Sequence, residues 1–180
     1  MDCVDKPSCW GFIIKMKLIP LSKYGKHKGK YFVKVDDADY DWLIQYNWSI
    51  TSASKKGYAF RKIKVAGKKK NVLMHKLILG IADNQIGDHI DRDKLNCQRS
   101  NLRVCTIAQN NMNAKVRSDN KSGFKGVSWH AASNKWAAWI TTNGVSINLG
   151  LFLNKVDAAK AYDEAAIIYH KEFANLNFKQ

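Results

Sequence analysis

Residues 123–178 constrain the fold most, because three runs of strict alternation are followed at once by a helical spacing. In the first run Val127 and Trp129 oppose Ser128 and His130. In the second, Trp136, Ala138 and Ile140 oppose Lys135, Ala137, Trp139 and Thr141. In the third, Val145, Ile147 and Leu149 oppose Ser146 and Asn148. Asn143-Gly144 tolerates positive φ at both positions and marks a tight hairpin turn between the last two runs. Asn154 can cap a helix on which Ala158, Ala161, Tyr162, Ala165 and Ile168 share a face, and its alanines let it lie close to a sheet. The block reads as three antiparallel strands packed on one helix, with Trp129 and Trp136 on the helix-facing side.

Upstream, Lys17-Leu18-Ile19-Pro20-Leu21 and Tyr31-Phe32-Val33-Lys34-Val35 alternate as strands, joined by a loop through Gly25 and Gly29. Asp36 or Asp37 can cap a short helix from Ala38 to Gln45 that turns Tyr40, Leu43 and Ile44 inward. Trp48 to Thr51 and Tyr58 to Val65 pair as a hairpin, and Gly67 with three lysines makes the next turn. Val72 to Leu79 enters a short helix ended by Gly80. Residues 83–103 are polar and dense in Asp, Asn and Arg, and a helix follows from about Thr106 to Ala114. Arg117 to Gly123 has no apolar periodicity and reads as a linker. The fold class expected is α+β. A loose arm (residues 1–15) precedes a mixed-sheet unit (16–115), a linker (116–122) and the small sheet-and-helix unit (123–180).

Thirty Lys and Arg against fifteen Asp and Glu leave a formal charge of +15. That surplus points to a polyanionic partner, nucleic acid ahead of an anionic membrane surface. Residues 1–115 hold 22 basic and 10 acidic side chains, a net +12, whereas residues 116–180 hold 8 and 5, a net +3. No acid lies between Asp41 and Asp83, yet Lys55, Lys56, Arg61, Lys62, Lys64, Lys68, Lys69, Lys70 and Lys76 do. Such a stretch suits sequence-blind phosphate contact. If Lys68, Lys69 and Lys70 all touch phosphate, replacing them together flattens the log–log salt dependence by roughly two to three units. Cys3, Cys9, Cys97 and Cys105 show no CxxC spacing and read as free thiols of an intracellular protein. Lys15 and Lys17 interrupt the early apolar run, which also lacks a small-residue cleavage site, so neither a membrane span nor a signal peptide is expected.

The chemistry concentrates between Gly87 and Asn113. A carboxylate, Asp88, sits beside His89 at a strand end; Asn101 lies twelve positions on, and Asn110 nine further, on a helix. Phosphodiester hydrolysis needs a hard cation at the phosphate and a base for the attacking water. Oxygen ligands such as Asp and Asn suit Mg²⁺, and a histidine titrates near neutral pH.

Asp88-His89-Ile90-Asp91-Arg92-Asp93-Lys94-Leu95-Asn96, Ser100-Asn101-Leu102-Arg103 and Thr106 to Asn113 closely resemble the HNH nuclease motif of intron-borne and phage homing endonucleases, a strand-strand-helix metal finger. Arg92 stands where that pattern usually has Gly. Met74 to Gly80 is similar to the family's lead-in helix, so the likeness covers residues 16–115. It implies that Asp88 and Asn110 bind the metal, Mg²⁺ or Mn²⁺, that His89 is the general base, and that Asn101 holds the finger's loop and so orients His89. Asp91 and Asp93 are expected to shape the turn. His75 is a candidate phosphate contact, and Arg103 either meets phosphate or braces the finger.

Gly123-Phe124-Lys125-Gly126-Val127, Lys135 to Ile140, Leu149-Gly150, Phe152, Ala158 to Asp163 and Ala174 to Phe178 resemble the APETALA2-type DNA-binding domain of plant transcription factors. In that family the sheet enters the major groove, which a narrow sheet fits. The resemblance implies that Lys125, Ser128, His130, Lys135, Trp139, Thr141, Ser146 and Asn148 meet DNA. Arginines fill several of these places in the plant pattern, so a different target and a weaker grip are implied.

The expected function is therefore site-selective, metal-dependent cleavage of double-stranded DNA, by nicking or double-strand cutting. Lys62, Lys68, Lys69 and Lys70 would add phosphate contacts. The alternative is a non-catalytic DNA-binding regulator that keeps a relic finger. The protein would act as a monomer or dimer on DNA, without membrane or small-molecule substrate, in the cytoplasm of the cell or phage-infected host. A chain ending near Arg117 is expected to keep its fold and some nicking but to cut less selectively.

Overall fold

The computed structural model describes residues 15–22, 28–51 and 57–178. The expected arm (apart from Lys15), with Cys3 and Cys9, and Lys55 and Lys56 lie outside the described residues. The fold is α+β, built from small antiparallel sheets and short helices.

β1 (Met16–Leu21) and β2 (Tyr31–Asp36) form an antiparallel hairpin in which Ile19 faces Val33. Alternation turns Ile19, Leu21, Val33 and Val35 to one face, and each is at most 1% exposed. α1 (Asp37–Leu43) follows and buries Leu43 against that face. Its N-cap Asp36 makes no capping bond, because its carboxylate instead accepts from the Gln98 side chain and the Arg99 backbone N–H. Trp48 fills the same core and donates to the Leu43 carbonyl at 2.8 Å. β3 (Ser49–Ile50), β4 (Ala59–Val65) and β5 (Lys68–Leu73) make a sheet in that order. Ala66 and Gly67 supply the positive-φ turn between β4 and β5, so the three lysines lie in β5 rather than in the turn. α2 (Met74–Leu79) ends at Gly80 in the left-handed conformation.

β6 (Ile86–His89) and β7 (Leu102–Cys105) pair antiparallel, and α3 (Ile107–Asn113) follows. Thr106 and Gln109 close a reciprocal capping box at its start. The loop between β6 and β7 is stitched to the first hairpin. Lys34 donates its N–H to the Leu95 carbonyl, and Cys97 donates to the Lys34 carbonyl, both at 2.8 Å. Arg99 forks onto the buried Asp39 of α1 at 2.7 and 2.8 Å.

β8 (Val127–His130), β9 (Lys135–Thr142) and β10 (Val145–Phe152) form the second three-stranded sheet with β9 central, and α4 (Lys155–His170) lies across it. Ala138 of β9 and Ala158, Ala159 and Ala166 of α4 are fully buried, so small side chains on both elements let them approach. Gly126 is required there: its φ is +75°, and a Cβ would lie 2.0 Å from the Tyr162 ring. Two expectations fail. The buried face of α4 is rotated toward Ala159, Asp163, Ala166 and His170, which leaves Ile168 66% exposed. Asp163 belongs to that face because its carboxylate accepts from Asn177 and from the Phe178 backbone. Trp129 is 49% exposed, covered by an edge-to-face contact with its cross-strand partner Trp136 at 5.0 Å rather than by the helix.

The segment expected as a linker is a hydrogen-bonded turn, with Ser122 buried and bonded to Asn120 and to the Phe124 carbonyl. The small sheet-and-helix unit packs on α3. The Lys125 ammonium meets the carbonyls of Asn111, Met112 and Ala114 at the end of that helix, and the Asn175 amide also donates to Ala114.

Candidate active site

The β6–β7 register sets Asp88 opposite Arg103 and His89 opposite Leu102. Leu102 belongs to the N-terminal core, which anchors the strand pair and brings Asp88 and His89 to the floor of a cavity of about 570 Å³. Asn110 and Asn113, one helical turn apart on α3, line the same cavity, as do Tyr58, Arg92 and Lys94.

The Asp88 carboxylate is 6% exposed and heavily partnered. Oδ2 accepts two N–H bonds from Arg103, at 3.0 and 2.8 Å, and one from the Asn113 amide at 3.0 Å. Among the described residues Oδ1 accepts only the Asn113 amide, at 3.1 Å, and so keeps lone-pair capacity. Asn113 also donates to the His89 carbonyl at 3.0 Å, which ties α3 to the strand end. Sequence reasoning passed over Asn113; its signal was the i, i+3 spacing from Asn110 on one helix face.

His89 is 4% exposed. Burial pushes its pKa below the ordinary 6.5, against the opposing pull of Asp91, Asp88 and Asp93, so the ring is neutral at neutral pH. The Cys97 thiol lies 3.8 Å from Nε2. Burial pushes that thiol up to about 12, which leaves it protonated and unreactive. The Tyr58 ring lies tilted against His89 and the His75 ring meets it edge-on, with ring centroids at 5.8 and 4.8 Å. Gly87 makes room for this layer, since a Cβ there would lie 2.8 Å from His75 Cδ2.

Asn101 knits the loop beyond His89. Its amide donates to Asp91 Oδ1 at 2.9 Å and to the Asn96 carbonyl at 2.8 Å, and its Oδ1 accepts the Asp91 N–H at 2.9 Å. Asp91 also accepts from Asp93 N–H and Asn96, and Asp93 accepts from Leu95 N–H, so both carboxylates shape the turn. Arg92 occupies this turn at φ +65°, a conformation that favours glycine, which accounts for the glycine usual in the HNH pattern.

Among the described residues, no three His, Cys, Asp or Glu side chains cluster to enclose a cation. Mg²⁺ needs no such cage, because it keeps several waters and takes one or two protein oxygens. Asp88 Oδ1 and the Asn110 carboxamide, lining one cavity, are a hard donor pair of that type.

Several residues expected to contact DNA are engaged elsewhere. His75 is 3% exposed beneath His89, with its pKa pushed by burial to about 3, so it is a neutral packing group rather than a phosphate contact. Arg103 turns its donors inward to Asp88 and to the Glu172 carbonyl. Lys125 is spent on the end of α3 and Lys70 pairs with Asp83. The β4–β5 register splits the lysine triplet: Lys69 faces Lys64 and shares its side of the ribbon with Lys62, whereas Lys68 and Lys70 point to the other. Ser128, His130, Trp139, Thr141, Ser146 and Asn148 are exposed and Lys135 half-buried.

None of the described helices is long and apolar enough to cross a membrane. A family model described as HNH endonuclease matches residues 73–112, from the end of β5 into α3. A protein of Acanthamoeba polyphaga mimivirus named as an uncharacterized HNH endonuclease is 30% identical over 175 residues, which cover 92% of this chain and 84% of that protein. Protein 3.8 of Escherichia phage T7 is 38% identical over 61 residues, 34% of this chain and 50% of its own. No solved structure matches the chain. HNH nucleases act on nucleic acid and in general use a divalent metal. The matched motif coincides with the cavity built by Asp88, His89 and α3, and the mimivirus protein is matched along most of its length: the chain belongs to the HNH endonuclease family.

Proposed function

We propose that this protein is a homing-type, metal-dependent DNA endonuclease in which His89 is the general base and residues 123–178 form an APETALA2-type DNA-binding unit. The observation that carries the reading is the shared cavity of about 570 Å³, with Asp88, His89 and Asn110 in its wall. Buried and neutral, His89 can accept the proton of a water attacking phosphorus in line. Asn101 holds the loop next to His89 and limits the ring's freedom. Asp88 and Asn110 are the oxygen donors for Mg²⁺ or Mn²⁺. That ion, when bound, stabilises the charge building on the phosphate and on the departing 3′ oxygen. The Asn113 and Arg103 bonds keep the Asp88 carboxylate oriented. Cleavage leaves a 5′-phosphate and a 3′-hydroxyl.

On DNA, Lys62, Lys64 and Lys69 make a one-sided lysine ridge for phosphates. The exposed Trp139, Thr141, Ser146 and Asn148 are the base-reading candidates of the sheet. The homing assignment and the sheet's role rest on resemblance in sequence, supported by the exposure of this face.

Supercoiled plasmid and phage DNA incubated with protein and Mg²⁺ test the reading. The parent is expected to cut, and His89→Ala to bind DNA with nearly unchanged affinity but not to cut. Asp88→Ala and Asn110→Ala should each demand more Mg²⁺. Full activity in EDTA would exclude the metal mechanism, and binding without cutting by the parent would favour a regulator with a relic finger.

A further inference from the structure

We propose that the C-terminal unit completes the nuclease site, because the 3₁₀ turn Lys171–Phe173 that follows α4 forms the outer half of the socket that holds Arg103 on Asp88. This rests on the nuclease reading of Asp88. Arg103 is a positioning residue and its side chain is 14% exposed. Its inner edge gives two N–H bonds to Asp88 Oδ2. Its remaining terminal nitrogen donates to the Glu172 main-chain carbonyl at 2.6 Å, and the guanidinium lies 3.8 Å over the Phe173 ring. One planar cation thus joins the cavity carboxylate to the far end of the chain's second unit.

The contact has no freedom to act on one side only. Two N–H groups converging on one carboxylate oxygen hold a charge-assisted contact that weakens when water reaches it. With Phe173 and the Glu172 carbonyl removed, one face and one donor of Arg103 would open to solvent. Asp88 would then keep the Asn113 amide as its other side-chain partner, and its rotamer would loosen. Three further contacts fix the dock independently of Arg103. The Arg92 guanidinium meets Asn175, Asn175 donates to the Ala114 carbonyl at 2.8 Å, and Lys125 closes the end of α3, the helix that carries Asn110 and Asn113. The second unit therefore braces both walls of the cavity.

The test uses the full chain and four variants, two that disturb the dock and two controls. Asn175→Ala loosens the dock from a surface loop, and Phe173→Ala removes the lid on Arg103. Both should lower kcat for plasmid cleavage by ~10–100-fold, the cost typical of losing a partner of a metal ligand, with KM for DNA within about twofold. Phe173→Tyr, which keeps the ring, should restore kcat. In protein free of DNA and metal, hydrogen exchange of the β6 and β7 amides should quicken in the two alanine variants. It should not quicken in Ile168→Ser, an exposed change on the same unit. A Phe173→Ala chain that loses its α4 protection has unfolded its unit, and Asn175→Ala then decides. Unchanged exchange in Asn175→Ala, or a loss confined to KM, overturns the coupling. A parent that cuts no DNA refutes the nuclease reading instead, while the exchange data still decide the dock.

Discussion

Asn101→Ala tests whether one buried amide holds the loop that follows His89. The substitution deletes three hydrogen bonds, two donated to Asp91 and the Asn96 carbonyl and one accepted from the Asp91 N–H. At about 1 kcal/mol net each, the loss is about 3 kcal/mol. Asn101 itself is 8% exposed, whereas its partners Asp91 and Asn96 are reachable by water, so a range of about 2–4 kcal/mol is appropriate. The β6–β7 pairing survives, since Ile90 N–H still bonds the residue-101 carbonyl. Urea unfolding should therefore show a lower midpoint with an unchanged slope. Single-turnover cleavage should fall with little change in DNA affinity, because the loop adjoins His89. Asn101→Asp should be worse than alanine at neutral pH, as it sets a second carboxylate against Asp91, and should improve as pH falls toward the carboxylate range. A loss below about 0.5 kcal/mol for Asn101→Ala, typical of an unremarkable surface change, would refute the reasoning.

Replacing Lys64 and Lys69 together, which share one side of the β4–β5 ribbon, should lower the salt-dependence slope by up to about 1.8 in log–log units, and replacing Lys68 and Lys70 should lower it less; equal slopes would contradict a one-sided contact. Gly126→Ala should unfold the C-terminal unit, since a Cβ there meets the Tyr162 ring at 2.0 Å and the backbone holds φ +75°; near-ultraviolet circular dichroism of the tryptophans reads the outcome. His75, buried neutral and pushed to about 3 mainly by burial, takes up a proton on unfolding below its ordinary 6.5. Because its folded value lies under the unfolded one, stability falls as pH drops from 6.5 toward about 3, and His75→Gln should flatten that limb in urea midpoints measured against pH.

Much of the finger was legible in the sequence. Asp88 and His89 are adjacent, and the spacing to Asn101 and to the helix carrying Asn110 is short and local, so pattern and geometry agree. The β1–β2 hairpin and the strands of the C-terminal sheet were legible because apolar and polar residues alternate along them, whereas β5 read as a turn because its three lysines show no alternation. What escaped depends on partners distant in sequence. Arg103 meets Glu172 through a main-chain carbonyl, which leaves no trace in residue type. Phe173 reads as an ordinary core residue, and Lys125 as one more basic group on a basic chain, although it is withdrawn from solvent enough for burial to lower its pKa to about 8. The lysine triplet misled because three adjacent charges look like one patch, whereas a strand sends neighbours to opposite sides. The expectation that a chain ending near Arg117 retains nicking takes no account of these contacts. Such a chain would lose Phe173, Asn175 and the Lys125 closure of α3.

The stitch between Lys34 and the segment Leu95–Cys97 bears on the order in which the molecule acquires activity. Hairpins such as β1–β2 and β9–β10 close over short spans and can zip early. The loop that follows His89 must wait for a main-chain bridge across some sixty residues, whose closure entropy is met before any bond rewards it. During refolding from urea, amide protection of the hairpins is therefore expected to precede the return of cutting. A newly made chain would pass through a compact but inactive stage, so that the nuclease becomes competent only after its scaffold is finished.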